Sequence, residues 1–268
     1  MSESVIIDAV RSPIGVKNGK LIGIRPDDLS AQVVRQLLKR NKSIEPAQIE
    51  DFILGCAFPE GPQGMLMAKG VSILSGVPET AGGSVVNRFC GSSMDAVHQL
   101  STKIESGDID VGIACGVEDM FSVPMGGFNP DFHPDLAEKD YYIGMGETAE
   151  NLANEGKISR EFQEQFSIKS HEKALLAWKE GKFDNEVVPI DVYGENLVVK
   201  DEGPRKPDEE KIKSLKPSFL ENGTITPATS SPISIGSSAV LITSKKFANS
   251  NNLHIRATIK GRSIAGVD

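Results

Sequence analysis

Cysteine is scarce. Cys56, Cys90 and Cys115 are the three in 268 residues. They are too few and too scattered for a disulfide framework, and no Cys-x-x-Cys or Cys/His pair has zinc-site spacing. A reducing compartment, the cytoplasm, is therefore expected, with no metal. Positive charge is in the minority: 29 Lys+Arg against 37 Asp+Glu give a formal charge of -8. That balance disfavours a protein that coats nucleic-acid phosphates. No apolar run approaches the ~20 residues of a membrane span. The opening MSESVIIDAV is acidic and short, whereas a signal peptide needs a basic start and a longer apolar stretch, and a transit peptide is Arg-rich. What is present, 39% hydrophobic and 25% charged residues, is an ordinary globular composition with enough chain for a sizeable core.

The first part alternates strand-like and helix-like signals. Val5-Ile6-Ile7 is a short apolar run ended by Arg11-Ser12-Pro13, as a buried strand would be. From Asp27, with Asp27 or Asp28 as cap, Leu29, Val33, Val34, Leu37 and Leu38 recur at helical spacing. Phe52–Phe58, Ser84–Asn87 and Asp110–Cys115 read as strands, and Met65–Leu74 and Gly91–Ser106 as helices closed by Gly76 and Gly107. This rhythm predicts an α/β fold, a layered α/β/α mixed sheet. From about Met120 the texture changes to Pro- and Gly-rich, then to helices at Glu147–Asn154 and Ser159–Lys179, then to the charged stretch Lys200–Pro217. Strands resume at Ala239–Thr243 and Ile255–Gly261. The expected organisation is a sheet domain, 1–119 and 236–268, interrupted by a long loop-domain insertion, 120–235.

The sharpest local feature is Val85-Val86-Asn87-Arg88-Phe89-Cys90-Gly91-Ser92-Ser93-Met94. A strand ends at Phe89, and a helix begins just after Cys90, with Met94, Val97, Leu100 and Ile104 expected on its buried face. Cys90 then stands at a helix N-terminus, where unpaired N–H groups favour an anion, and the thiolate is the nucleophile. Gly91, Ser92 and Ser93 leave room for a substrate, as in the serine elbow of hydrolases. An isolated cysteine at a helix start also suits an inert buried thiol. Cys56 and Cys115, inside apolar strands, are read as core.

Six further-spaced segments give Cys90 a context. They are Ile7-Asp8-Ala9-Val10-Arg11-Ser12-Pro13-Ile14-Gly15, VNRFCGSSMDAV, Gly116-Val117-Glu118-Asp119-Met120 with Val123-Pro124-Met125, MGETAEN (145–151), Leu215-Lys216-Pro217-Ser218-Phe219, and GTITPATSS (223–231). In this order the chain resembles the thiolase family, and within it the degradative 3-ketoacyl-CoA thiolases (acetyl-CoA acyltransferases) of fatty-acid β-oxidation. The resemblance implies thiolytic cleavage: Cys90 attacks the 3-keto carbonyl, acetyl-CoA leaves, and free CoA takes the acyl group from sulfur. It implies 3-ketoacyl-CoA and coenzyme A as substrates, no cofactor, and a dimer or tetramer that in some members joins a β-oxidation hydratase/dehydrogenase partner. It carries over three contacts. Arg205 matches, within a one-residue gap, an arginine on the CoA nucleotide; with Lys206 it also reads as a solvated charge run. Ser231 matches a serine on the pantetheine arm. Met145 matches a methionine of the acyl pocket and also suits core packing. Pro227 and Ile235 depart from the family pattern.

The resemblance also implies helpers that these residues do not include: a Gly-His-Pro histidine, an Asn- or His-Glu-Ala-Phe segment and a second cysteine. His98, His133, His171 and His254 have other contexts, and surface or structural roles are expected for them. The expectation is the N-terminal half of a thiolase with its loop domain, incomplete and with little or no turnover alone. Two alternatives stand beside it. One is a related condensing synthase, of ketoacyl synthase or hydroxymethylglutaryl-CoA synthase type. The other is a non-catalytic CoA-binding or assembly module.

Overall fold

The computed structural model describes residues 3–266; Met1, Ser2, Val267 and Asp268 of the reading above lie outside the described residues. The strands are β1 (Ser4–Arg11), β2 (Gly15–Val16), β3 (Asp51–Gly55), β4 (Ser84–Val86), β5 (Val111–Asp119), β6 (Ile190–Val192), β7 (Asn196–Val198), β8 (Ser234–Ser244) and β9 (Ala257–Thr258). The helices are α1 (Pro26–Arg40), α2 (Met67–Leu74), α3 (Ser92–Ser106), α4 (Pro134–Ala137), α5 (Met145–Glu155), α6 (Arg160–Lys179), α7 (Glu209–Ser214) and α8 (Lys245–Ser250). They fall into two compact units. A sheet unit holds the described residues of 1–128, 185–202 and 234–268, and an insertion unit holds 129–184 and 203–233.

The sheet unit is built on a mixed seven-stranded sheet in the order β4-β3-β5-β8-β1-β9, with β2 beside β8. β3 runs parallel to β4 and β5, while β8 runs antiparallel to β5 and β1. The period of two along each strand divides its side chains between two layers. Phe52 and Leu54 of β3, with Val111, Ile113 and Cys115 of β5, pack with Leu29, Val33 and Leu37 of α1 and with Met67 and Val71 of α2. Ile53, Ala114 and Ile242 point the other way and pack with Ala96, Leu100 and Ile104 of α3. A fully buried side chain of this size contributes about 1.5–3 kcal/mol, so the central strands are fixed from both sides. Met94, expected on the buried face of α3, is 65% exposed. The small Ala96 and Ser92, and Asp95 paired with Arg88, take the inner positions instead.

Where one insertion, 120–235, is expected from the sequence, 120–128, 185–202 and 234–235 pack in the sheet unit. For 185–202, Arg11 on β1 is the reason. Its guanidinium meets Glu186 at 2.8 Å and Asp201 at 2.8 Å, and its carbonyl accepts the Val188 N–H at 2.9 Å. The β6–β7 hairpin adds Ile190, Val192 and Val198 to the main core. Asp201, with a side chain only 12% exposed, therefore anchors the start of the charged stretch in the sheet unit. The strand expected at Ile255–Gly261 narrows to the two residues of β9.

In the insertion unit, Ser159 caps α6, accepting the Phe162 N–H at 3.2 Å. α6 is twenty residues long yet buries only Glu164 and Ile168.

Candidate active site

The Cys90 corner is shaped by the backbone around it. β4 ends at Val86, and a single 3-10 turn, Phe89–Gly91, leads straight into α3. Phe89 has φ 44°, a left-handed conformation that costs a non-glycine residue energy. Local hydrogen bonds hold it there. Asn87 Oδ1 accepts the Phe89 N–H at 2.9 Å, Ser92 Oγ accepts the Arg88 N–H at 2.8 Å, and the same hydroxyl donates to the Phe89 carbonyl at 2.6 Å. The asparagine also donates from Nδ2 to the Ala57 carbonyl at 2.9 Å.

Two glycines of the sheet admit the first turn of α3. A Cβ on Gly55 would stand 2.3 Å from the Ser92 carbonyl carbon, and one on Gly116 would stand 1.9 Å from Ser93 Oγ. Gly55 and Gly116 are paired neighbours on β3 and β5. The helix therefore starts hard against the carboxyl ends of parallel strands, the usual ligand-facing end of such sheets. Cys90 is exposed at that start.

The other two thiols contrast with it. Cys56 and Cys115 are buried. Burial pushes both thiols up to about 12; at Cys56 the Glu118 carboxylate adds to the effect. At neutral pH these two are proton-bearing core groups, as the sequence led us to expect.

The insertion unit carries a cavity of about 480 Å³. One wall is α6, with Phe162, Gln163, Phe166 and His171, and the other is the segment 225–232, which includes Ser231. His171 Nδ1 accepts the Arg205 N–H at 3.4 Å. Burial, and then the charge of Arg205, push this imidazole below its ordinary value. Arg205 and Ser231 are thus both linked to His171, one by a hydrogen bond and one by lining the same cavity. Met145, 66% exposed, begins α5. Its exposure sets aside core packing.

The motif segments of this unit are joined to one another. Glu150 of MGETAEN, 6% exposed, accepts the Thr224 N–H at 2.9 Å, the Thr224 hydroxyl at 3.0 Å and the Ile225 N–H at 2.8 Å. Gly223 is what allows this approach, since a Cβ there would lie 2.2 Å from the carboxylate. A Cβ on Gly146 would likewise lie 2.2 Å from the Phe219 ring. Gln163 Nε2 donates to the Thr224 hydroxyl at 3.0 Å. Sequence reasoning assigns His171 a surface or structural role, places Glu150 only within its motif, and does not single out Gln163. No local pattern marked Glu150 or Gln163, since α5 buries only Glu150 and Ala153 and α6 only Glu164 and Ile168. Of the other histidines, His133 caps α4 through the Asp135 N–H, and His98 lines a separate cavity with Asp95 and Arg262. Among the described residues no group of three or more His, Cys, Asp and Glu could hold a metal ion, and no helix is long and apolar enough to cross a membrane.

These features define an α/β protein that presents one thiol at the carboxyl edge of a mixed sheet and carries a ligand-sized cavity in its insertion. Residues 4–246 match the family model "Thiolase, N-terminal domain". The 3-ketoacyl-CoA thiolases of Photobacterium profundum and Shewanella baltica are 39% and 42% identical to the chain, aligned over all of it and over 71% of their own length. The crystal structure of the Bacillus anthracis acetyl-CoA acetyltransferase superposes with a TM-score of 0.89 at 33% identity, covering the whole chain and 72% of that one. The chain belongs to the thiolase family.

Proposed function

We propose that this chain carries the nucleophile of a 3-ketoacyl-CoA thiolase reaction, with Cys90 as the attacking group. The Cys90 thiolate adds to the 3-keto carbonyl, the C2–C3 bond breaks, and the leaving acetyl-CoA carbanion takes up a proton. The shortened acyl group stays on sulfur until the thiol of free CoA displaces it. The observation that carries this reading is the contrast among the three thiols. Cys90 is exposed at the entry of α3, while the other two are buried. In this reading the N–H groups at the start of α3 are the donors for the developing oxyanion. Arg205 and Ser231 are assigned to the nucleotide and pantetheine arms of coenzyme A, and Met145 to the acyl chain. The reading includes fatty-acid β-oxidation in the cytoplasm by a dimer or tetramer, with or without a hydratase/dehydrogenase partner. Large apolar side chains in solvent on the sheet unit, Met65, Leu66 and Phe89 among them, support an assembled state.

The test is acylation of the purified chain by acetyl-CoA, read by intact mass and peptide mapping. The reading expects thioester transfer to Cys90, releasing CoA, and faster iodoacetamide labelling there than at Cys56 or Cys115. Equal, slow modification of all three thiols would return the chain to a non-catalytic module.

A further inference from the structure

We propose that Glu150 is a positioning residue whose carboxylate holds the 224–231 wall of the insertion-unit cavity in the conformation that receives coenzyme A. The inference rests on reading that cavity as the coenzyme A subsite, and it goes beyond the contact residues by naming what sets their geometry. Glu150 is not itself among the lining residues; it hydrogen-bonds Thr224 and the lining residue Ile225, and acts through a chain of hydrogen bonds. Its two oxygens take three donors from Thr224 and Ile225. Two residues on, Thr226 closes a tight turn. Its carbonyl accepts the Thr229 N–H at 3.0 Å and the Ser230 hydroxyl at 2.8 Å, and its own N–H goes to Thr229 Oγ1 at 2.9 Å. Ser231 follows directly. The α6 side is tied to the same segment through Gln163 on the Thr224 hydroxyl and through Ser167, whose hydroxyl donates to the Ala228 carbonyl.

A carboxylate fits this role and an amide does not. All three groups facing Glu150 are donors, and an ionised carboxylate is acceptor-only. A glutamine keeps one acceptor oxygen but turns its NH₂ group toward the Thr224 N–H and hydroxyl that share Oε2, so fewer, neutral bonds replace the charge-assisted set. Apolar bulk elsewhere does little to fix the segment, since Ile225 is its one buried hydrophobic side chain.

The experiment compares the full chain with its Glu150→Gln variant in two measurements. Hydrogen exchange without ligand reads the clamp itself: the Thr224 and Ile225 amides are expected to lose protection, and unchanged protection overturns the proposal. Calorimetric titration with coenzyme A, well below the thermal midpoint of both proteins, reads the consequence. Loss of opposed charge-assisted hydrogen bonds is expected to weaken binding about tenfold. A merely structural residue would lower the midpoint and leave that affinity unchanged, which also overturns the proposal. If the unaltered chain takes up no coenzyme A, the subsite reading fails, and the exchange result still decides whether Glu150 holds the wall.

Discussion

Each of the two units of this protein coheres internally by a different means. In the sheet unit, strands and helices meet through hydrocarbon: Phe52, Ile53, Leu54, Leu100 and Ile113 are all fully buried. In the insertion unit, buried hydrophobic side chains are few, namely Ala153, Ile168, Ile212 and Ile225, while two carboxylates, Glu150 and Glu164, are as deeply buried. The first kind of cohesion is non-directional and tolerates adjustment. The second is directional, and depends on each acceptor keeping its charge and its donors. The difference teaches that the hydrocarbon-packed unit presents the exposed Cys90, and the polar unit shapes a cavity whose walls are set by hydrogen bonds.

The largest effect that tests this contrast is a deletion of core volume. Phe52→Ala is expected to cost about 3–5 kcal/mol of unfolding free energy, and Ile168→Ala on α6 about 2 kcal/mol, at the low end for such truncations because its helix is exposed on most sides and can relax. Denaturant titration of both variants checks the order; equal losses would erase the distinction between the units. A smaller effect is expected at the seam between β3 and α3. Gly55→Ala must push the Ser92 backbone away, costing about 1–3 kcal/mol. It should also change the alkylation rate of Cys90, which a stopped-time iodoacetamide assay reads.

The smallest effect is pH-dependent and confined to the insertion unit. Burial alone would raise the Glu150 carboxyl, but the hydrogen bonds from Thr224 and Ile225 overcome it and hold it below its ordinary 4.5. The unfolded chain therefore takes up this proton first. The stabilisation is complete above about pH 4.5 and is lost as pH falls through the lower folded value. The difference in thermal midpoint between the unaltered chain and Glu150→Gln should be constant near neutrality and shrink in acid. A difference that ignores pH would show that the charge is irrelevant.

The same contrast decides what was legible in the sequence. α1 was readable because Leu29, Val33, Val34 and Leu37 repeat at helical spacing and are all buried. The end of α3 was readable because Gly107, φ 87°, has the conformation that closes helices. The corner at Cys90 was readable from a strand pattern meeting a helix pattern. β8 runs over Ser234–Ser244, longer than the Ala239–Thr243 expected, because its serines and Gly236 hide it. Their small side chains suit a strand between α1 and α3, not a hydrophobic run. The hairpin of β6 and β7 was missed although it carried a signal. Val192 pairs with Asn196 across a three-residue connection, in which Tyr193 and Gly194 both have positive φ and the Glu195 N–H returns to the Val192 carbonyl. Glu150 was quoted as part of a motif, but its role was invisible, since nothing local tells which distant N–H groups a carboxylate will accept.

The path of the chain sets a rule for anyone who would exchange the insertion for another. Residues 185–202 stay with the sheet through Arg11, so the polypeptide leaves the sheet unit twice, for 129–184 and again for 203–233. No single cut-and-paste removes that unit; a graft needs both excursions replaced together, with the intervening stretch retained as the sheet's own.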